Sequence, residues 1–245
     1  MNTEKRRKPR SFKTCFGTWI ASGSPVVAEL AALCGLDWLL LDMEHGYLTE
    51  AELLPSLQAA GGRGAAIVVR VPTHDAGLIG RVLDRGADAI MAPHVENADE
   101  ARALVRAMRY PPEGGRGYSR SVRAYGYGLA APGTHPRPLL FAQIESTAGI
   151  ANVETIAGVD GVDVLFVGPA DLKLSLSAEP SAPSYGEALD TVVRAARKSG
   201  IHAGILIRDR REVPDLLNKG FTKIAVDSDL SILRERFLSI TGEAE

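Results

Sequence analysis

Eight short apolar segments alternate with segments of helical periodicity, and this alternation constrains the fold more than any other feature of the chain. Continuous apolar runs rich in β-branched side chains are typical of strands buried on both faces of a parallel sheet. The segments between them repeat apolar residues at intervals of three and four, as amphipathic helices do. Strands are predicted at Cys15–Ile20, Asp37–Leu41, Ala65–Val71, Asp88–Ala92, Leu139–Ile144, Val164–Val167, Ile201–Leu206 and Thr222–Val226.

Helices are predicted between these strands, and some carry clear terminal signals. Thr49 with Glu52 three residues later forms a capping box at the start of one helix, and Gly158 marks the end of another. The predicted helices are Pro25–Leu33, one that follows Thr49, Asp75–Arg85, Ala98–Met108, Thr147–Gly158, Tyr185–Ser199, Arg211–Lys219 and Leu230–Leu238.

These strand–helix units, within a chain of 245 residues, predict an α/β fold of the (β/α)8 TIM-barrel type. A doubly wound open sheet is the alternative, because alternation alone does not require the sheet to close. Residues 14–245 are assigned to a single barrel domain. Residues 1–13, which are strongly basic, are assigned to a flexible tail.

Composition excludes several classes of function. A formal net charge of -2 gives no general attraction to nucleic acid or to an anionic membrane. No apolar run approaches the ~20 residues that span a bilayer, and the basic start lacks the apolar core of a secretory signal. Cys15 and Cys34 have no metal-type spacing. We therefore expect a cytoplasmic protein that acts on small molecules.

The stretch from Leu139 to Leu172 contains the clearest candidate site. Its two predicted strands end in polar residues, Glu145 after the first and Asp171 after the second. In a right-handed strand–helix–strand unit both carboxylates lie at the carboxyl edge of the sheet, where ligands bind. Two adjacent carboxylates repel unless a cation lies between them, which favours a divalent metal site. The alternative is an N-cap aspartate and a solvated glutamate.

Three further polar residues are predicted at the same edge. Arg70 ends an otherwise apolar strand, where a guanidinium is rarely buried without an anion. His45 follows the second strand, and Gln143 faces the same side of its strand as Glu145. A cation site, a base and a fixed positive charge together suit the formation of an enolate from a 2-oxo acid. Alternatively, Arg70 pairs with Asp42 and only braces the barrel.

Two segments interrupt the alternation. Tyr110–Pro138 has no periodicity, and a connection of this length is usually functional or an assembly surface. Ser175–Ser184 is predicted to be a loop at the rim of the site or a lid. Lys173 is assigned to the same loop as a solvated side chain, with a Schiff-base role as the alternative. The arginines of the first segment are Arg116, Arg120, Arg123 and Arg137.

A family resemblance is carried, in order, by LLLDMEHG, IVVRVP, VLDRGADAIMAPHVENADEA, YPPEGGRGYS, QIES and FVGPADL. With these motifs the chain resembles the HpcH/HpaI family of metal-dependent, class II pyruvate aldolases from Phe16 to Phe237. The resemblance implies a (β/α)8 barrel that reversibly cleaves a 4-hydroxy-2-oxo acid to pyruvate and an aldehyde. The cofactor would be a divalent cation, and Mg, Mn and Co share the required carboxylate–oxygen geometry.

The resemblance also implies roles for particular residues. His45 would be the proton acceptor, Arg70 the transition-state stabiliser, and Glu145 and Asp171 the metal ligands. Asp84 would raise the basicity of a histidine, across a subunit interface because it lies at the far end of its helix. Substrate contacts are implied for Gln143, Gly168, Pro169, Ala170, Trp19 and Leu206. Family members are similar in forming hexamers with an exchanged terminal helix, here the predicted helix Leu230–Leu238.

Two departures from the family pattern keep related reactions open. Lys173 stands where small residues are frequent, and the segment Tyr110–Pro138 is unusually rich in arginine. Arginines near the mouth of the barrel would favour an additional substrate carboxylate. One alternative is therefore a citrate synthase-like condensation of siderophore pathways, and another is citrate-lyase-like acyl cleavage. A non-catalytic barrel subunit is the alternative from a different class.

Overall fold

The computed structural model describes residues 14–131 and 137–242, so the predicted basic tail at residues 1–13 lies outside the described part. The strands are β1 Cys15–Ile20, β2 Trp38–Asp42, β3 Ala66–Arg70, β4 Ala89–Ala92, β5 Leu139–Ile144, β6 Val162–Val167, β7 His202–Ile207 and β8 Lys223–Ser228. The helices are α1 Pro25–Leu33, α2 Glu50–Ala60, α3 Ala76–Asp84, α4 Ala98–Met108, α5 Thr147–Ala151, α6 Val153–Ala157, α7 Pro169–Ala178, α8 Tyr185–Lys198, α9 Val213–Lys219 and α10 Asp229–Thr241.

The sheet is closed, with every strand parallel to both of its neighbours. The order around the barrel is β1 to β8, and β1 pairs with β8 from Cys15 beside Lys223 onward. The predicted (β/α)8 barrel is therefore confirmed, and the open-sheet alternative is wrong. In such a barrel all carboxyl ends of the strands meet at one mouth.

Two apolar cores hold the barrel together. The larger core lies between the strands and the outer helices and includes residues such as Leu39, Val69 and Leu165. The smaller core fills the barrel interior with large side chains, among them Trp38 and Phe166. The rings of these two residues pack edge to face, with centroids 6.1 Å apart. Because this interior is filled, a small molecule is confined to the mouth.

A repeated glycine–X–aspartate motif stabilises the turns at the end of the barrel opposite the mouth. A glycine with positive φ is followed two residues later by an aspartate, whose carboxylate accepts a hydrogen bond from a backbone N–H of the preceding strand. Glycine tolerates the left-handed backbone that these turns need. The pairs are Gly35 with Asp37, Gly86 with Asp88, and Gly161 with Asp163, with φ of 81°, 93° and 110°.

Two predicted elements between β5 and α8 are wrong in part. The predicted helix Thr147–Gly158 is two short helices that meet at Asn152. The predicted loop Ser175–Ser184 begins inside α7, and Lys173 lies on that helix. Leu172 and Leu176, one turn apart, are the buried residues of α7, whereas Leu174 is exposed. The alternation of leucine with serine and lysine concealed this helical face.

Two arginines in the described part of the arginine-rich segment are held away from the mouth of their own barrel. Arg123 donates to the carbonyl oxygens of Leu57 and Arg85, near the C-terminal ends of α2 and α3, which lie opposite the mouth. Arg137 pairs with Asp163 at the start of β6. Within one chain, Arg123 and Arg137 therefore do not bind a substrate carboxylate. No helix among the described residues is both long enough and apolar enough to cross a bilayer.

Candidate active site

A cavity of about 570 Å³ opens at the carboxyl ends of the strands. Almost all of the residues predicted from sequence to form the site line this cavity. Those that do are Trp19, His45, Arg70, Gln143, Gly168, Pro169, Ala170, Asp171 and Leu206. Glu145 is buried immediately beside it, since its side chain lies against Gly168. Asp84 is the exception and lies elsewhere.

Arg70 is fixed at the cavity wall by two carboxylates. Asp42 occupies the neighbouring position of β2 and accepts from Nε of Arg70 at 2.9 Å and from Nη2 at 2.7 Å. Glu44 Oε2 lies 2.8 Å from Nη1. Burial disfavours the charged guanidinium, but these carboxylates outweigh it and raise the pKa of Arg70 above its ordinary value. The pair with Asp42 that the bracing alternative required is thus present.

The brace leaves part of the guanidinium available. Nη2 uses one of its two hydrogens toward Asp42, whereas Nη1 is ion-paired with Glu44 but donates no hydrogen bond to it. The planar group also lies over the ring of Trp19, with its central carbon 5.7 Å from the ring centroid. A cation held on three sides and open toward the cavity is suited to bind an oxyanion in a fixed geometry.

Strand β5 and the residue that follows it supply buried oxygen atoms without partners. Glu145 is 3% exposed; its Oε1 accepts from the backbone N–H of His94 at 2.8 Å, while Oε2 has no hydrogen-bond partner among the described residues. Gln143 Oε1 is likewise buried without such a partner. Buried polar atoms are normally satisfied, so orphaned oxygens of this kind indicate a missing ligand.

Gly168 keeps the space beside these oxygens free. A Cβ at this position would collide with Glu145 Oε2 and lie 2.8 Å from Gln143 Nε2. Gly168 also precedes α7 as its N-cap without a side-chain cap, so the first N–H groups of this helix point toward the mouth unsatisfied by a side chain. A glycine is required here because the backbone passes directly over the two polar side chains.

Asp171 completes the carboxylate pair. It lies in the first turn of α7 and makes no hydrogen bond or ion pair with another described residue. Burial raises the pKa of Glu145; the His94 contacts oppose this, and the charges of Glu44 and Asp171 add to it. The alternative of an N-cap aspartate and a solvated glutamate is wrong, because Gly168 is the cap and Glu145 is buried.

The donor set fits a divalent cation that takes part of its coordination from substrate and water. Two carboxylates and a nearby amide oxygen are the hard oxygen ligands that such cations prefer. Among the described residues no cluster of three or more His, Cys, Asp or Glu side chains could bind a metal. Glu145 and Asp171 would therefore hold a cation as a pair, which leaves open positions for a ligand.

His45 and Asp84 lie in very different places. The imidazole of His45 is mostly exposed at the mouth, with Nε2 3.9 Å from Glu44 Oε2. Asp84 is the last residue of α3, at the opposite end of the barrel, where its Oδ1 accepts from Arg116 Nη2 at 2.6 Å. Within one chain Asp84 therefore cannot contact His45.

Sequence reasoning missed three residues at the mouth. His94 follows β4 with φ of 49°, and its Nδ1 is 3.3 Å from Glu145 Oε1. Glu44 contacts Arg70, and Arg208 follows β7. Each lies just beyond the carboxyl end of a strand, which is the signal that could have identified it.

A closed (β/α)8 barrel with a charged cavity at the carboxyl ends of its strands is the architecture of TIM-barrel enzymes. The model of the HpcH/HpaI aldolase/citrate lyase family matches residues 15–235, and the chain belongs to this family.

The names of similar proteins indicate the type of reaction that the chain catalyses. The chain is 40% identical over 226 residues to the hydroxypyruvate/pyruvate aldolase of Paraburkholderia phytofirmans, covering 88% of this chain and 87% of the relative. It is 39% identical over 223 residues to the 5-keto-4-deoxy-D-glucarate aldolase of Klebsiella pneumoniae subsp. pneumoniae, covering 89% and 87%. Because these relatives are aldolases, the chain is a carbon–carbon lyase.

Solved structures of the same family resemble this chain. A HpcH/HpaI aldolase/citrate lyase family protein from Burkholderia cenocepacia J2315 superposes with a TM-score of 0.89 at 33% identity, covering 99% of both chains. The citrate synthase SbnG has a TM-score of 0.80 at 24% identity, with 94% of this chain and 92% of that chain covered. The second likeness shows the fold alone, so the citrate synthase-like alternative has only distant support. The non-catalytic alternative is wrong.

Proposed function

We propose that the chain is a divalent-metal-dependent aldolase that reversibly cleaves a 4-hydroxy-2-oxo acid to pyruvate and an aldehyde. The observation that carries this proposal is the pair of orphaned oxygens, Glu145 Oε2 and Gln143 Oε1, at the cavity that Asp171 and the buried Arg70 also line. The aldolase names of the relatives near 40% identity support the same reaction type.

Glu145 and Asp171 would hold the cation, with Mg, Mn or Co as candidates. Once bound, a divalent cation would act as a Lewis acid toward the oxygens of a 2-oxo acid and so acidify its C3 protons. Behind Pro169, which has no N–H, the backbone N–H groups of Ala170 and Asp171 would donate to the substrate carboxylate, as helix N-termini bind anions. Gln143 would orient the same end of the substrate.

Arg70 would stabilise the negative charge that develops on oxygen as the carbon–carbon bond breaks. Arg70 lines the cavity, and its two hydrogen bonds to Asp42 fix the orientation of the guanidinium. Such a donor needs no reorganisation during the reaction, which is the source of most electrostatic catalysis. The bracing contact and the catalytic role are therefore compatible.

His45 would move the proton between the 4-hydroxyl group and the pyruvate enolate, directly or through water. Its exposed position at the cavity supports this role, since substrate can approach the ring. Asp84 would assist only if a neighbouring subunit brought it to the mouth. Trp19 and Leu206, which form apolar parts of the wall, would contact the aldehyde half of the substrate.

A homo-hexamer is part of this proposal. The terminal helix α10 exposes Phe237 at 63% and Ile240 at 72%, and α1 exposes Val26 and Leu30. Apolar residues in such number at one helix are unusual for a monomer surface. Exchange of α10 with a neighbouring subunit would cover them. Sedimentation analysis of the wild-type chain and of the double variant Phe237→Glu, Ile240→Glu tests this oligomeric state. A monomeric wild type would contradict the hexamer.

Aldol chemistry itself is tested by incubating the purified chain with pyruvate and a panel of aldehydes in the presence of Mg²⁺, Mn²⁺ or Co²⁺. We expect a 4-hydroxy-2-oxo acid product that forms with at least one aldehyde and disappears with EDTA. Citrate formation from acetyl thioester and oxaloacetate, without any aldol product, would instead favour the citrate synthase-like alternative.

A further inference from the structure

A buried lysine lies at the end of the barrel opposite the mouth. Lys223 begins β8, and its side chain is 1% exposed. Lysine is almost never fully buried without a partner, and among residues 14–131 and 137–242 this is the one buried lysine. The chemistry proposed above does not use it, because Arg70 and Asp171 line the cavity at the other end of the strands.

The side chain of Lys223 contacts a thiol. Its Nζ lies 3.4 Å from Cys15 Sγ. Cys15 begins β1, and the two residues are direct partners in the pairing of β1 with β8. Paired residues project to the same face of a sheet, and Cys15 packs against the core that fills the barrel interior. The strand register therefore keeps the amine beside the thiol, inside the barrel.

The contact bridges the seam at which the barrel closes. Every other pair of neighbouring strands is consecutive in the sequence, whereas β1 and β8 are the first and the last strand. Cys15 and Lys223 are 208 residues apart. The register of this pairing also shifts between Gly17 and Trp19, so the ladder is irregular toward the mouth. A covalent bond between Cys15 and Lys223 would tie the first strand to the last.

The environment of the pair suits capture of an oxidised sulfur. Cys15 is half-buried at the end of the barrel, which gives a molecule as small as hydrogen peroxide a path to the residue. The amine of Lys223 is shielded from solvent. Peroxide oxidises a cysteine to a sulfenic acid, which condenses with a neighbouring nitrogen to form a sulfenamide. The nitrogen beside this sulfur is Lys223 Nζ.

A neutral histidine lies at the same end of the barrel. His202 begins β7, and its Nδ1 lies 3.1 Å from the hydroxyl oxygen of Thr222. Burial and the charge of Lys223 lower the pKa of His202 to about 4, so the imidazole is uncharged at neutral pH and can accept a proton. An ammonium group must lose a proton before its nitrogen attacks sulfur. His202 is a base near enough to Lys223 to respond to its charge.

The second cysteine of the chain provides an internal comparison. Cys34 is the C-cap of α1, and it is exposed. No lysine of residues 14–131 or 137–242 contacts its sulfur. An exposed sulfenic acid without a neighbouring amine is oxidised further, to sulfinic and sulfonic acids. Cys15 and Cys34 should therefore give different products with the same oxidant.

We propose that Cys15 and Lys223 form an oxidative modification site, at which hydrogen peroxide converts the pair to a covalent sulfenamide that closes the barrel seam. Peroxide first oxidises the thiol to a sulfenic acid and is itself reduced to water. The Lys223 amine then attacks the sulfur and displaces the hydroxyl group, which leaves as a second water with a proton from the nitrogen. One S–N bond forms, and the pair loses two hydrogen atoms in total. A dithiol returns the free thiol and amine and is itself oxidised to a disulfide.

Peptide mass spectrometry tests the site. The folded full chain, with Cys34→Ser to remove the second thiol, is treated with hydrogen peroxide and digested with trypsin. The expected product joins the peptide of residues 14–63 to the peptide of residues 220–234 with the loss of two hydrogens, because trypsin does not cleave after a modified Lys223. Dithiothreitol should separate the two peptides and restore cleavage after Lys223.

Two variants separate capture by Lys223 from oxidation of Cys15. In Lys223→Met the sulfenic acid meets no amine, so no cross-link should form. Dimedone, which alkylates sulfenic acids, should then label Cys15 strongly, whereas it should label Cys15 only weakly when Lys223 is present. The matched control is Lys198→Met, which removes an exposed lysine that pairs with Glu154 and should leave the cross-link unchanged.

A melting curve provides a second measurement. The oxidised chain should melt at a higher temperature than the reduced chain, because a cross-link between distant residues restricts the unfolded chain, and dithiothreitol should remove the rise. A folded chain in which peroxide leaves Cys15 unmodified would overturn the proposal, as would oxidation of Cys15 to the sulfinic acid without a cross-link. Equal yields of the cross-link in the folded chain and in urea would also overturn it, because the fold would then not bring the pair together.

Discussion

Arg70 and Asp42 form a buried bidentate pair, with Nε–Oδ1 and Nη2–Oδ2 distances of 2.9 Å and 2.7 Å. They occupy paired positions at the ends of β3 and β2, so the barrel register itself brings them together. The pair explains how a guanidinium is kept at the mouth in one orientation. It also links catalysis to stability at a single residue.

Substitution of Arg70 tests this link. Arg70→Ala should lower kcat far more than it raises KM, because one oxyanion contact typically contributes about 3–4 kcal/mol in the transition state. The variant should also melt earlier, since it leaves Asp42 buried without its partner. Arg70→Lys should recover little activity, because an ammonium lacks the planar fork. A folded Arg70→Ala enzyme with wild-type kcat would mean that Arg70 only stabilises the barrel through Asp42.

Gly168 offers a test of the orphaned oxygens. A methyl group in Gly168→Ala would collide with the carboxylate of Glu145, so we expect weaker Mn²⁺ binding and a loss of activity. Gly186→Ala is the matched control, because a Cβ there meets nothing within 4 Å. Mn²⁺ titration of both variants provides the measurement. Equal Mn²⁺ affinity in the two variants would argue against a cation beside Glu145.

The sequence determined most of the barrel correctly because its signals are local. β1, β5, α1 and α4 have the predicted bounds. The two strands are continuous apolar runs. The two helices combine a helical period with a clear cap; in α4, the cap residue Asn97 accepts from the backbone N–H of Glu100. Such local signals survive folding because tertiary contacts reinforce them.

The features that the sequence did not predict depend on contacts between residues that are far apart in the sequence. The arginines of Tyr110–Pro138 looked available for substrate, yet Arg116 is bound to Asp84 thirty-two positions earlier. His94 was one of several scattered histidines until β4 and β5 brought it beside Glu145. Arg70 and Glu145 were predictable because a charged group on an apolar strand is itself an anomaly.

His45 should contribute to proton transfer and not to metal binding. His45→Ala is expected to slow exchange of the C3 protons of pyruvate by about 10²–10⁴, the usual contribution of a general base. Mn²⁺ affinity should be unchanged, because the ring is not among the carboxylate ligands. Exchange at the wild-type rate in the variant would mean that another group is the base.

His202 predicts how stability depends on pH. Burial and the charge of Lys223 lower its pKa from 6.5 to about 4 in the folded chain. The unfolded chain binds this proton first, so stability falls as pH decreases from about 6.5 to about 4, by no more than about 3 kcal/mol. In His202→Gln the loss of stability over this window should be smaller. Parallel curves for the two proteins would contradict the shift.

The central claim is that a divalent cation at Glu145 and Asp171 makes pyruvate acidic at C3. The most direct measurement is deuterium incorporation into pyruvate, followed by NMR with Mg²⁺, with EDTA, and after Mg²⁺ is restored. Exchange is expected with the metal, none in EDTA, recovery when Mg²⁺ is restored, and none in the double variant Glu145→Gln, Asp171→Asn. Undiminished exchange in EDTA, with borohydride trapping pyruvate on Lys173, would contradict it.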